Sequence, residues 1–592
     1  MTSLLPRREV LASPPWWLRL VGTTAAALVA TLLSYAVHLT DIAISPLLLV
    51  PGVGMGLLWR WGLSLWPGIV LGDMLGQWFV HDRTLTLVVV SAVIHLVAAV
   101  AAAAWARRVD ARPRNLVTTA HFTGIVLAVS AGATVLLETA LAVVGHAQAN
   151  GSVALAIAWE VTGFAAGFLV AGALTMAWLA PRAEVLADLR RPIAAATLAT
   201  AGAAALVGFR TGIGIAGLAA LLLSLGLAAR CGTRWGTAAM FVVSEIAVWA
   251  MHDGMAPFGG ATADGQALNA MFAIALFALA GLIVAGYHAA GPGPRHRAPV
   301  VAATFAVLMV VAGVSSLAAN RVALEVDEPF VLSGLVALGA ALVLTVLRFA
   351  HTPERPASPR GLGLAALAGA IYVFNLVVYL AAVPLIGSGT ATALSMTAPL
   401  AVVLLSLAIY RTRPSAGMVI AVVMIVVGAF VAASGSLDDP LGIVLALGSA
   451  VIFAVSLPVT SLALRHAGVV DVALAAAVGA AVVALTIGVI VEGPGAFVLT
   501  PPEVGELALA ALGAQLVPML GRSWALDQIS PNLVGAEGVL APVVTGVLSI
   551  LFIDTVVARG ELAGLIIIAV GALVATLAGS RSRGAQVPGS GG

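Results

Sequence analysis

Lysine does not occur anywhere in the 592 residues, and charged residues of all kinds make up only 9% of them. A soluble globular chain carries about 25% charged residues, and no soluble fold of this length covers its surface with so few. The missing lysine also excludes a phosphate-cradling P-loop, which needs that side chain. A single cysteine, Cys231, excludes an intramolecular disulfide and a cysteine cluster for metal. The histidines show no metal-ligand spacing, and no Gly-x-Ser-x-Gly elbow stands in a strand–turn–helix setting. No metal, no cofactor, no catalytic residue and no enzymatic activity are therefore expected. A soluble enzyme, a nucleic-acid-binding protein and a secreted disulfide scaffold all drop out.

What the chain does have is apolar sequence: 61% hydrophobic residues and a mean hydropathy of +1.10. The bilayer is the solvent that accepts such a composition. Apolar runs are continuous for about 20 residues and lack a period of two, so helices are expected and a β-barrel is not. The expected fold is an all-α polytopic membrane protein with roughly twenty transmembrane helices at about 30 residues each. Among the segments are 44–59, 62–80, 193–209, 212–229, 235–252, 388–410 and 532–553. The stretch 17–37 behind Arg7 and Arg8 is too long for a signal-peptide core and lacks a cleavage site, so it reads as a retained anchor.

Arginine sets the topology. With every segment spanning and the N-terminus inside, all of the 28 arginines except Arg83, Arg210, Arg321 and Arg559 fall on the cytoplasmic face. Both termini are then cytoplasmic. The weak place is 193–229, where two short segments meet at Arg210-Thr211-Gly212 and either span twice or form a re-entrant pair. The Ala, Gly and Val bias together with all-arginine basicity points to a GC-rich bacterial genome, and hence to an inner membrane.

The helix-breaking, basic run Gly291-Pro-Gly-Pro-Arg-His-Arg-Ala-Pro299 reads as a cytoplasmic linker between two halves. The second half repeats itself. Pro399 and Pro542, Gly417 and Gly560, and Gly428 and Gly571 all stand 143 residues apart. Each unit holds an odd number of spans, so the second copy enters the membrane upside down, an arrangement found in transporters with a site near the midplane.

This repeat resembles the EamA family of the drug/metabolite transporter superfamily. The resemblance lies in Gly389-Thr-Ala-Thr-Ala-Leu-Ser-Met-Thr-Ala-Pro-Leu400 leading to Gly428-Ala429. It recurs in Asn532-Leu-Val-Gly-Ala-Glu-Gly-Val-Leu-Ala-Pro-Val543 leading to Gly571-Ala572. It implies a 5+5 inverted-repeat bundle, with repeats at 300–434 and 435–579 and a disordered cytoplasmic tail at 580–592. The first half, 17–290 after a cytoplasmic segment 1–16, resembles a MASE-type membrane-associated sensor domain. The matching residues are Ser45-Pro46 with Pro51-Gly-Val-Gly54, Trp59-Arg-Trp61, Leu65-Trp-Pro-Gly-Ile-Val-Leu-Gly72, Trp159-Glu-Val-Thr-Gly163 with Gly167, and Arg234-Trp-Gly-Thr-Ala238. That resemblance implies a sensory role for about ten helices, joined through the linker 291–299 to the carrier.

Polar groups inside a bilayer are costly and face a bundle interior or a cavity. In the second half the candidate solute contacts are Tyr372, Asn375 and Tyr379, which share one helical face by their spacing, and Thr392. In the second unit they are Gln515, Arg522, Trp524 and Glu537. Glu537 is read either as a binder of a substrate cation or coupling proton, or as a carboxylate satisfied by hydroxyls or by Arg522. Pro399 and Pro542 are expected helix kinks. In the first half Asp73, His95, Glu138, Glu160 and Glu245 form an expected polar core, which either binds a ligand or proton or holds the bundle together.

The expected function is alternating-access movement of a small metabolite or drug-like solute, with the first half gating or assembling the carrier. The alternative is a non-transporting membrane sensor or scaffold. The expected partners are the lipid bilayer and the small-molecule solute, without nucleic acid; a homodimer is left open.

Overall fold

The computed structural model describes residues 14–35, 47–80, 84–113, 115–143, 153–179, 192–211, 214–252, 271, 274–285, 298–325, 329–350, 356–411, 414–433, 439–493, 495, 507, 510–552 and 561–581. Among these, all regular structure is helical. The first half comprises α1 (Trp16–Tyr35), α2 (Leu49–Trp61), α3 (Trp66–Val80), α4 (Leu85–Val109), α5 (Leu116–Val143) and α6 (Val153–Gly167). A π-helical turn at Phe168–Gly172 leads into α7 (Ala173–Trp178), followed by α8 (Pro192–Thr211), α9 (Gly214–His252) and α10 (Ile274–Ala285).

The expected span 44–59 is a shorter element. Its helix α2 has 13 residues, about 20 Å at 1.5 Å per residue, against a hydrocarbon core of about 30 Å. It is sealed inside the first half, with all but Val53 of residues 49–58 buried. Glycine permits this. A Cβ on Gly52 would stand 2.3 Å from the Gly167 carbonyl oxygen, and one on Gly167 would stand 1.8 Å from that of Leu48. The two backbones thus cross in direct contact, a packing mode open only to the smallest residues. The expected segments 212–229 and 235–252 share one helix, α9, broken at Gly232 (φ 77°, ψ −169°), a conformation essentially confined to glycine. The helix packs along α8, where Gly202 faces Val242 and Ile246 beyond the break.

The second half falls into two like units. The first is α11 (Ala298–Glu325), α12 (Pro329–Ala350), α13 (Pro359–Ile386), the broken pair α14 (Ser388–Ser395) and α15 (Ala398–Tyr410), and α16 (Ala416–Ala433). The second is α17 (Pro440–Leu464), α18 (Val469–Val491), and a π-helical stretch (Ala510–Leu516) running into α19 (Val517–Leu526). A second broken pair, α20 (Pro531–Gly538) and α21 (Leu540–Phe552), then leads to α22 (Glu561–Arg581). Shifting α14 by 143 residues reproduces the bounds of α20.

The packing is reciprocal as well. α13 lies on α17 as α19 and its π-helical stretch lie on α11, and α15 lies on α17 as α21 lies on α11. The pairs α12–α18 and α16–α22 each join an element to its own counterpart. At residue level, a Cβ on Gly428 would stand 2.7 Å from the Gly564 oxygen and 2.8 Å from the Ile568 side chain. One on Gly571 would stand 3.0 Å from the Ala421 oxygen and 2.8 Å from the Ile425 side chain. The positions 421 and 564, 425 and 568, and 428 and 571 are again 143 apart. Contact and counter-contact of this kind define a twofold relation.

Both ends of the α12–α18 pair are tied by charge. The Glu492 carboxylate accepts hydrogen bonds from the backbone N–H groups of Phe330 and Val331, each at 2.8 Å, at the start of α12. Arg348 at the far end of α12 pairs with Asp471 in the first turn of α18. A carboxylate at a helix N-terminus satisfies orphan donors and meets the positive end of the dipole. Glu492→Ala should therefore cost about 1–2 kcal/mol, read as a lower melting temperature of the detergent-purified protein. An unchanged melting temperature would remove this role.

Ten described helices are long and apolar enough to cross a membrane, four in the first half and six in the second. Shorter apolar helices lie at Ile193–Phe209, Ile274–Ala285, Val300–Gly313 and Ala563–Ala575. Large apolar side chains such as Leu404, Val423, Val482 and Ile566 are exposed on the outside, as lipid-facing positions require. The chain is a multi-pass integral membrane protein. Its halves meet where Gly124 of α5 faces Val307 of α11 and Gly226 of α9 faces Val346 of α12.

Candidate functional site

Between the two units of the second half lies a cavity of about 150 Å³. Its position follows from the helix breaks. Helix α14 ends at Ser395 and α15 begins at Ala398, and Ser395, Met396 and Ala398 all line the cavity. In the second unit Gly538, Val539 and Ala541 line it at the corresponding break. Hydroxyls add to the backbone bonds at the first break: Ser395 donates to the Thr392 oxygen and Thr397 to the Leu394 oxygen, which also accept the Met396 and Thr397 N–H groups. Broken helices of this kind are tolerated at membrane depth where they are enclosed by protein or line a cavity.

The expected kinks at Pro399 and Pro542 take a different form. Each proline sits in the first turn of the helix after the break, where a missing N–H costs no hydrogen bond. The chain is interrupted before the prolines, at Met396–Thr397 and at Val539. Pro542 lines the cavity; Pro399 is buried beside it and does not.

The lining itself obeys the 143-residue relation. Asn375 and Pro518, Tyr379 and Arg522, Thr392 and Gly535, Ser395 and Gly538, Met396 and Val539, and Ala398 and Ala541 all face the cavity. The cavity therefore sits on the pseudo-twofold. Its backbone is symmetric, whereas its chemistry is not, because the position occupied by Tyr379 in the first unit carries Arg522 in the second.

Arg522 is the charged residue among the described lining residues, and it is 7% exposed. Its guanidinium carbon stands 4.4 Å from the Tyr372 ring centroid and 4.8 Å from that of Phe453, the two rings lying 6.3 Å apart. Opposite, the Tyr379 and Thr392 hydroxyls are hydrogen-bonded at 2.7 Å. Phe305 and Met309 of α11 supply apolar wall.

Of the candidate solute contacts, the fold thus gathers Tyr372, Asn375, Tyr379, Thr392 and Arg522 around one cavity. Gln515, Trp524 and Glu537 are buried on the same second-unit helices but do not line it. The Gln515 amide instead lies 3.7 Å from the Met519 sulfur. Phe305, Met309 and Phe453 escaped the sequence reading, because an aromatic or methionine in an apolar helix looks the same facing lipid or facing a cavity.

In the first half the fold brings together two of the five candidates. His95 Nδ1 lies 2.8 Å from Asp73 Oδ2, and the Thr31 hydroxyl lies 2.9 Å from Asp73 Oδ1, with all three residues buried. Phe164 meets the His95 ring edge-on at 5.7 Å between centroids. Glu138, Glu160 and Glu245 stand on α5, α6 and α9. Thr31 had no sequence signal beyond being a hydroxyl on an apolar helix.

A twofold pair of helical units enclosing a small central cavity through broken helices is the build of a membrane carrier. Residues 300–434 and 440–577 each match the model of the EamA-like transporter family, so the C-terminal half carries two EamA-like domains. A solved crystal structure of a protein aligns at 20% identity over 48% of this chain and 99% of its own, with a TM-score of 0.39, too low to show a shared fold. No curated protein matches the chain.

Proposed function

We propose that the chain is a carrier that moves a small solute across a bacterial inner membrane by alternating access of its two inverted units, both termini lying in the cytoplasm. The observation that carries this reading is the cavity on the pseudo-twofold, walled by equivalent positions and by both helix breaks. Rocking two like units about such a site exposes it first to one side and then to the other. The volume supports a small solute, since pockets for drug-sized ligands run to roughly 300–1,000 Å³. The first half, packed on α11 and α12, is read as a sensor-like element that gates or steadies the carrier.

Thr392→Trp fills the cavity from its first-unit wall. In proteoliposomes holding the full chain, uptake of a solute moved by the wild type should fall at least tenfold. The melting temperature in detergent should stay within a few degrees. Uptake at the wild-type rate through the filled cavity would defeat the reading. A wild-type chain that moves no member of a broad metabolite panel would favour a sensor or scaffold.

A further inference from the structure

We infer that the solute is a small organic monoanion whose carboxylate is held by Arg522. The inference rests on the carrier reading and adds the chemical class of the cargo. A buried cation is costly unless something compensates it. Here two aromatic rings do so in part, through their faces. Cation–π contacts of this kind are worth about 0.5–2 kcal/mol. An arginine carries five N–H donors in a planar fork, so a partner at one of them leaves others whose geometry matches a carboxylate.

Three further observations set the class. The described lining residues include no carboxylate, so a cationic solute would meet a like charge with no acid to hold it. They include no second cation either, so a dianion would bury one charge unmatched. The rest of the wall combines an apolar part, with Phe305, Met309 and Phe453, and neutral polar groups, among them Asn375 and the Tyr379–Thr392 hydroxyl pair at 2.7 Å. A solute with one carboxylate and a short apolar body satisfies both parts. The charge stands on one unit only, since Arg522 faces Tyr379 at the symmetry-equivalent position. The anion is thus oriented, with its charged end toward α19.

The test uses the full chain in proteoliposomes with labelled 3-phenylpropanoate and butanoate, their neutral amides, and the corresponding amines. Wild-type protein should move the carboxylates at least tenfold faster than the amides and should not move the amines. Arg522→Gln should lower carboxylate uptake at least tenfold without lowering amide uptake, and Arg522→Lys should keep part of the carboxylate rate. Should Arg522→Gln fail to fold, the wild-type order of carboxylate, amide and amine decides alone. Amides or amines moved as fast as carboxylates, or a folded Arg522→Gln with the wild-type carboxylate rate, would overturn the anion assignment and leave the carrier standing. No movement of any member would overturn the anion assignment, while the broad metabolite panel tests the carrier itself.

Discussion

Gly369→Val should prevent the second half from folding as described, whereas Gly363→Val on the same helix should be close to silent. At Gly369 a Cβ would lie 1.8 Å from the Ala476 carbonyl oxygen and 2.7 Å from its Cα. Across the same contact, a Cβ on Gly479 would lie 2.3 Å from the Ala366 oxygen. Here α13 and α18 touch backbone to backbone, and no side chain stands there to rotate away. Relief requires the helices to separate, and α13 carries Tyr372, Asn375 and Tyr379 within the next three turns. The expected loss exceeds about 4 kcal/mol, the range reserved for gross overpacking. Gly363, by contrast, has nothing within 4 Å of its added Cβ, and exposed substitutions usually stay within about 0.5 kcal/mol. Size-exclusion profiles and melting temperatures of the two variants in detergent make the comparison. Equal behaviour of the pair would refute the close crossing.

Asp73→Ala carries the second large effect. It takes the acceptor from His95 and a partner from Thr31 in a place closed to solvent, with Asp73 and Thr31 at 0% and His95 at 2% exposure. Removing one member of a buried hydrogen-bonded pair costs about 3–5 kcal/mol, largely because the other is stranded. Asp73→Ala combined with His95→Leu should therefore cost less than the two single changes summed, with a coupling of about 0.5–3 kcal/mol. Melting temperatures of the four proteins close the cycle. Additive costs would mean that the pair does not hold α3 to α4. Within the expected polar core of the first half, Asp73 and His95 are joined to each other and to Thr31.

Much of the second half was legible before any coordinates. The scarcity of charge selects a bilayer, because only hydrocarbon tolerates such a surface. The 143-residue register of Pro399 with Pro542 and Gly428 with Gly571 announces two like units, and the spacing of Tyr372, Asn375 and Tyr379 places them on one face. Those three do share the cavity. Proline also hinted at the breaks, but it marks where a helix can restart, not where the previous one stops. The short reach of α2 was hidden, because Leu48, Gly52 and Gly167 read as ordinary apolar sequence until two backbones are seen to cross.

The buried acid of the second unit shows the same division. Glu537 looked as suited to a solute as Arg522, since both are ionisable groups in apolar segments. Rotation about a helix axis separates them, and that rotation is set by packing against neighbouring helices, which composition does not encode. Sequence by itself determined the solvent, the helical class, the duplication and a short roster of polar side chains, since these follow from counts and periodicity. Tertiary structure alone decided which of them meet: it enclosed Arg522 between Tyr372 and Phe453, turned Glu537 aside, and paired Asp73 with His95. Each of those outcomes depends on contacts between residues far apart in the chain, where only the packed arrangement fixes distance and orientation.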